Sequence, residues 1–261
     1  MKLSRREFLN TSVKYTIGAS FLAPILLLLR SKSALAAKEG NSLKTYFPEG
    51  YDWEKHSYAY LIRVDRCIGC GNCVRACQKE NNVPEDFYRT WVERYEVSEI
   101  GETFIDSHKG GIEGVRPILT GFKVTKAFFV PKMCNHCINT PCTQVCPVGA
   151  SYTTKDGAVL VDNKHCIGCG YCVQACPYGS RFLNPITRVA EKCTWCYHRI
   201  VRGMLPACVQ MCPTGARQFG DLYQQGDPVR TAISTEHVLV LQPELLTKPR
   251  CYYIGLDIEV V

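Results

Sequence analysis

Sixteen of the seventeen cysteines of this 261-residue chain fall into four short runs. The first is Cys67, Cys70, Cys73 and Cys77. The second is Cys134, Cys137, Cys142 and Cys146, and the third is Cys166, Cys169, Cys172 and Cys176. The fourth is Cys193, Cys196, Cys208 and Cys212, and only Cys251 stands outside the scheme. Thiolates at such spacing hold metal or form disulfides. A disulfide framework suits small secreted domains, and an odd number of cysteines leaves one over. Zinc sites join one CxxC to another or to histidines. Here the second element is CxxxC, followed by proline in three of the four runs. The first and third runs have the two-two-three spacing of [4Fe–4S] ligands, in which the fourth cysteine serves the other cluster of a pair. The geometry behind it is a tight loop that wraps three corners of a cube. Glycines at Gly69, Gly71, Gly168 and Gly170 let backbone N–H groups turn toward the sulfurs. The fourth cysteine is expected to open a short helix facing away, with proline in its first turn, where a missing N–H costs little. After Cys146, Cys176 and Cys212 the chain repeats itself as Pro-Val-Gly-Ala, Pro-Tyr-Gly-Ser and Pro-Thr-Gly-Ala. After Cys77 comes Gln78 instead, which predicts a helix running on through Lys79 and Glu80.

Short strands must deliver these loops. Aromatic and β-branched stretches precede all four: residues 58–64, 127–130, 158–161 and 186–189. Lys155-Asp156-Gly157 is a hairpin-type turn. The fold class is therefore α+β, with short strands and helices around metal and little conventional core. Residues 84–130 read as a hairpin-rich insertion that covers a cluster or docks a partner. Beyond residue 222, 237–241 and 252–256 read as strands that return to a sheet edge or to a partner. Cys251 is expected to be a packed or free thiol. His136 and Trp195 lie inside cysteine loops, where they are expected to pack on sulfur or hydrogen-bond to it.

The N-terminus carries an address. Arg5-Arg6 with Phe8-Leu9 precede an apolar stretch and then Ala34-Leu35-Ala36, a charged, apolar and small-residue succession. The pair resembles a twin-arginine signal. Its densest apolar run, residues 21–29, contains Pro24 and is too short to span a bilayer. Residues 1–36 hold six basic side chains against Glu7, so the remainder has 25 basic against 23 acidic. Nucleic-acid binding needs a concentrated basic face, and this composition gives no support for one.

From about residue 58 to 222, these runs resemble the four-cluster iron–sulfur subunits of the bacterial complex iron–sulfur molybdoenzyme group and its relatives. Those relatives serve polysulfide and tetrathionate reductases, formate-dependent nitrite reduction and the membrane complex of dissimilatory sulfite reduction. The resemblance implies crosswise ligation. Cluster 1 would take Cys67, Cys70, Cys73 and Cys212, and cluster 2 would take Cys193, Cys196, Cys208 and Cys77. Cluster 3 would take Cys134, Cys137, Cys142 and Cys176, and cluster 4 would take Cys166, Cys169, Cys172 and Cys146. It implies two nested bacterial-ferredoxin-like modules, with the second and third runs inside the first and fourth. Respiratory nitrate reductases replace one cysteine of the third run by tryptophan and hold a three-iron cluster; here Cys169 is intact, so four [4Fe–4S] clusters are expected.

The implied organisation is a signal over 1–36, an extension over 37–57, the double domain over 58–222 and a C-terminal extension over 223–261. The chain has no nucleophile elbow, phosphate loop or paired-carboxylate motif. A cluster with four cysteine ligands offers no open position to a substrate, so the expected chemistry is one-electron transfer and not catalysis on its own. The partners implied are an integral-membrane quinone-reactive subunit and a catalytic redox subunit, of the molybdopterin type or a c-type cytochrome. The location implied is the periplasm. The alternatives are an electron link to c-type haem proteins and a zinc-stabilised structural module.

Overall fold

The computed structural model describes residues 48–118, 121, 123–257 and 260. The signal read over residues 1–36 lies outside them. Contacts divide the chain into residues 1–50 and 51–261, and every helix and strand described lies in the second unit. In chain order these begin with β1 (Tyr58–Arg63), α1 (Asn72–Asn81), β2 (Thr90–Ser98), β3 (Thr103–Asp106) and β4 (Val124–Met133). Then come α2 (Pro141–Gln144), β5 (Ser151–Thr153), β6 (Val159–Val161), α3 (Tyr171–Gln174), β7 (Arg181–Leu183) and β8 (Ala190–Lys192). The last are α4 (Tyr197–Ile200), α5 (Ala207–Gln210), β9 (Arg217–Asp221), α6 (Pro228–Thr235) and β10 (Cys251–Ile254). Among the described residues, no helix is long and apolar enough to cross a membrane.

β1 is the centre of a three-stranded sheet, antiparallel to β9 and parallel to β10. A strand with neighbours on both edges and cover on both faces must be apolar throughout, and residues 58–62 are all buried. Its period of two divides the work. Ala59 and Leu61 pack on Val229 and Ala232 of α6. On the opposite face Tyr60 places its hydroxyl 3.0 Å from Cys208 Sγ. The helix α6 was not anticipated, although its start is written locally. Asp227 Oδ1 accepts from the N–H groups of Val229 and Arg230, and Pro228 fills the first turn.

Two hairpins separate the later runs. β5 and β6 lie between the second and third, and β7 and β8 between the third and fourth. The strand expected at 186–189 is a turn instead, and β8 begins at Ala190. Asn184 Oδ1 accepts from the N–H groups of Ile186 and Thr187. That turn chemistry outcompetes the β propensity of the isoleucine, which is 79% exposed. Among the helices, α1 packs on α5 and α2 packs on α3.

The insertion forms its own antiparallel sheet in the order β3-β2-β4. Its return segment is pressed against the first cysteine loop. Val115 N–H donates to Gly69 O, and the side chain of Arg75 reaches Ile112 O. Any side chain on Gly71 would meet Gly111 O at 2.2 Å, so this approach requires glycine.

Candidate metal centres

The cysteines of the quartets that the resemblance implies have these positions. Cys67, Cys70, Cys73 and Cys212 line one cavity, together with Val92 of the insertion and Arg217. Cys134, Cys137, Cys142 and Cys176 line a second, beside Arg181. Cys77 lies in the electrostatic reach of Cys208, Cys193 and Cys196. Asn81 Nδ2 stands 3.6 Å from Cys77 Sγ and 3.7 Å from Cys196 Sγ. Cys166 and Cys172 belong to one apolar cluster, and Cys169 is exposed. Cys146 follows α2, which packs on the helix that carries Cys172. Among the described residues, no three His, Cys, Asp or Glu side chains converge tightly enough to hold a single ion. Thiols spread around a shared cavity fit a group that bridges them.

Each loop is built alike. The third cysteine of every run stands in a helix, as Cys73 in α1, Cys142 in α2, Cys172 in α3 and Cys208 in α5. The fourth cysteines were expected to open helices. Cys146, Cys176 and Cys212 instead follow them, in turns, while Cys77 lies within α1, which runs on to Asn81. The proline after each turn cysteine has no N–H to continue a helix, and the turn points its remaining N–H groups at sulfur. Burial raises the Cys146 thiol, but N–H groups of Ser151, Val148, Ala150 and Gly149 outweigh it and bring the thiol below its usual range. At Cys212 burial is outweighed in the same way by Arg217, Thr214 and Ala216. After Cys146 and Cys212 the Pro-x-Gly-small stretch is therefore a nest of donors for an anionic sulfur. At Cys67 and Cys137 burial dominates, lifting the thiols to about 11 and about 12. Bound iron would supply the positive charge that makes these thiols ligands.

The residue two after the first cysteine has a left-handed backbone in all four loops. It is Gly69 in the first run and Gly168 in the third, but His136 in the second and Trp195 in the fourth. The two aromatic residues, both fully buried, stack on each other with ring centroids 3.9 Å apart. His136 Nδ1 accepts from Val159 N–H at 2.9 Å, which leaves Nε2–H to donate to Cys193 O at 3.0 Å. Burial, with Lys192 beside it, keeps this imidazole neutral. The stack ties the second run to the fourth.

The 4Fe-4S dicluster domain family matches residues 125–222, and a second 4Fe-4S dicluster family matches residues 66–150. A tetrathionate reductase subunit of Salmonella typhimurium is 39% identical over 98% of this chain and 90% of its own length. The chain belongs to the four-cluster iron–sulfur electron-transfer subunits. A polysulfide reductase component of Wolinella succinogenes is 35% identical over 76% of this chain and 93% of its own length. The thiosulfate reductase electron transfer subunit of Salmonella typhi is 43% identical over 64% of this chain and 77% of its own. Like these dicluster subunits, the protein carries four [4Fe–4S] clusters on an α+β, ferredoxin-like scaffold, and it moves electrons without being a catalyst on its own.

Several residues around the clusters escaped the sequence reading: Tyr60, Asn81, Arg181, Lys192 and Arg217. Two had a signal. The repeat after the turn cysteines continues one residue further, to Ser151, Arg181 and Arg217, each the first residue of a strand. Cys251, fully buried on β10 opposite Tyr60, has a thiol that burial raises to about 12, and it lines neither of the two cavities.

Proposed function

We propose that this chain is the wire of a periplasmic redox complex. It passes single electrons between an integral-membrane quinone-reactive subunit and a catalytic redox subunit of the molybdopterin type. The observation that carries the reading is a gradient of exposure along the quartets. Cys193, Cys196, Cys208 and Cys77 are all buried, and in the quartet of Cys134, Cys137, Cys142 and Cys176 only the last is half-buried. In the other two quartets only Cys73 and Cys172 are buried, and Cys169 is exposed.

Contacts support an order for the quartets. Cys208 acts electrostatically on Cys73, and Cys134 on Cys193. Cys142 shares an apolar cluster with Cys172. The file therefore runs from cluster 1 through 2 and 3 to cluster 4, with ports at its ends and a sheltered middle. Each cluster supplies a site for one electron. The chain's part is to space these sites, exclude water from the inner two and present the outer two to partners.

In this proposal the quartets ligate crosswise. The outer module contains the first and fourth runs, and the inner module the second and third. The pairing of β1 with β9 and the packing of α1 on α5 and of α2 on α3 support that nesting. A reductase partner is supported by the names of the relatives, and the polarity by the family resemblance. Cluster 1 faces the catalytic subunit, and cluster 4 faces the membrane. Residues 1–36 act as a twin-arginine signal, so the folded, metal-loaded protein is what crosses the membrane.

Single-cysteine variants test this. Cys172→Ser is expected to block electron exchange with quinone while an artificial donor still reduces the remaining clusters, and Cys73→Ser to do the reverse. The opposite result would reverse the polarity, and unchanged exchange at both ends would remove the wire. Replacing Arg5 and Arg6 by lysine is expected to strand the protein in the cytoplasm. Periplasmic protein in that variant would overturn the signal.

A further inference from the structure

Among the described residues, three lysine or arginine side chains are buried: Arg181, Lys192 and Arg217. Several partly buried cations have carboxylates, although half-buried Arg250 donates only to Ser57 Oγ among the described residues. Arg89 pairs with Glu191, Arg94 with Glu96, and Arg199 with Glu80. No carboxylate among the described residues pairs with any of the three. Each has a short hydrogen bond to a neutral oxygen, and Arg181 has a further hydrogen bond with Cys172. Arg217 donates to Thr90 Oγ1 at 2.7 Å, Arg181 to Ser151 Oγ at 2.8 Å, and Lys192 to Cys193 O at 2.6 Å. Nε and Nη1 of both arginines have no partner among the described residues. A buried, unpaired charge is strongly destabilising, so something anionic must face these groups.

Their positions say what it is. Arg217 lines the cavity of the first quartet, and the sulfurs acting on it are Cys73 and Cys67 of cluster 1 and Cys208 of cluster 2. Lys192 directly precedes Cys193 of cluster 2 and lies opposite Arg181 across β7 and β8. Burial lowers its pKa, and Cys134 and Cys142 of cluster 3 and Cys193 of cluster 2 oppose that by favouring its charge. Arg181 lines the cavity of cluster 3, and its sulfurs are Cys142 and Cys134 of cluster 3 and Cys172 of cluster 4. Four clusters in a file have three gaps, and each gap holds one of these side chains.

We propose that Arg217, Lys192 and Arg181 are the counter-charges of the wire, one per gap, each raising the reduction potentials of the two clusters it separates. The proposal rests on the quartets given above. A cube with four thiolates is anionic and gains one further negative charge on reduction, and net charge is among the determinants of its potential. In each hop one cluster loses the electron that its neighbour gains. The negative charge moves across the gap with the fixed cation between the two sites, and no proton need accompany it.

Potentiometric titration followed by electron paramagnetic resonance tests the pattern, on the loaded protein. The signals of clusters 1 and 4 are first assigned by their loss in Cys73→Ser and Cys172→Ser. Arg217→Gln is then expected to shift clusters 1 and 2 to more negative potential and leave cluster 4 in place. Arg181→Gln is expected to shift clusters 3 and 4 and leave cluster 1. Lys192→Gln is expected to shift only the two signals that neither cysteine variant removes. Arg217→Lys and Arg181→Lys, which keep the charge, stay near the wild type. Where a glutamine variant fails to load iron, the methionine variant, which leaves no unpaired polar group, gives the same reading. Separate loss of the two signals with unmoved potentials, or a uniform shift of all four clusters, would overturn the proposal alone. Loss of the same signal in both cysteine variants would overturn the quartets and the proposal together.

Discussion

The cysteine loops of the first and third runs, the ends of the proposed file, and those of the second and fourth, its middle, share a backbone and differ in what fills it. All four turn left-handed two residues after their first cysteine. At Trp195 the N–H reaches back to Cys193 Sγ at 3.4 Å, and at Gly69 the N–H does the same for Cys67. The end loops use glycine there and expose the preceding isoleucines, Ile68 at 59% and Ile167 at 65%. The middle loops accept the strain of a left-handed side chain and use it to seat His136 on Trp195. One peptide geometry thus serves two purposes. In the first and third runs the loop is thin and apolar at its tip, which suits the proposed approach of another subunit. Where two clusters must be held together away from water, it carries a ring.

The contrast makes the middle the structural core and the ends its removable tips. Chelating iron under reducing conditions should have the largest effect, because the buried thiols of the middle quartets lose what neutralises and orders them. Far-ultraviolet circular dichroism should then show loss of cooperative melting; an iron-free chain that melts like the loaded one would break the comparison. Within the loaded protein, Cys208→Ser should abolish assembly, whereas Cys169→Ser should leave three clusters, as iron and sulfide content would report.

Next in size is the stack. Trp195→Ala removes a fully buried ring and should cost about 3–5 kcal/mol in denaturant unfolding. A cost below that of an end-loop change would mean that the rings do not hold the middle together.

Gly168→Ala comes third. Its φ is +69°, and the new methyl would meet Arg188 O at 2.3 Å. It should cost about 2 kcal/mol or more. Gly179→Ala, with a similar φ of +60° but open space around it, should cost only about 1 kcal/mol. Equal costs would show that the close approach to residue 188 is unimportant. The smallest effect belongs to the tips. Ile68→Ser and Ile167→Ser should change stability by less than about 0.5 kcal/mol while slowing electron exchange at their own end. A large loss of stability in either would show that the tip is part of the core.

The sequence alone determined the metal chemistry of this protein. Ligand spacing is a local property, since three cysteines on one loop reach one cube whatever surrounds them. The same holds for the hairpin at 155–157, the continued helix after Cys77 and the strand that leads into the first run. Local signals also misled where two of them competed. Asn184 turned residues 186–189 away from a strand, and proline moved the fourth cysteines from the start of helices to the turns after them. Only the tertiary structure decided what depends on residues distant in the chain. It brought Cys212 into the cavity of Cys67, which lies 145 positions earlier, laid His136 on Trp195 and pressed the insertion against the first loop. It also decided that Arg181, Lys192 and Arg217 are buried without carboxylates. A basic residue in a sequence is by default a solvated one, and only packing can remove its water and leave sulfur as its neighbour.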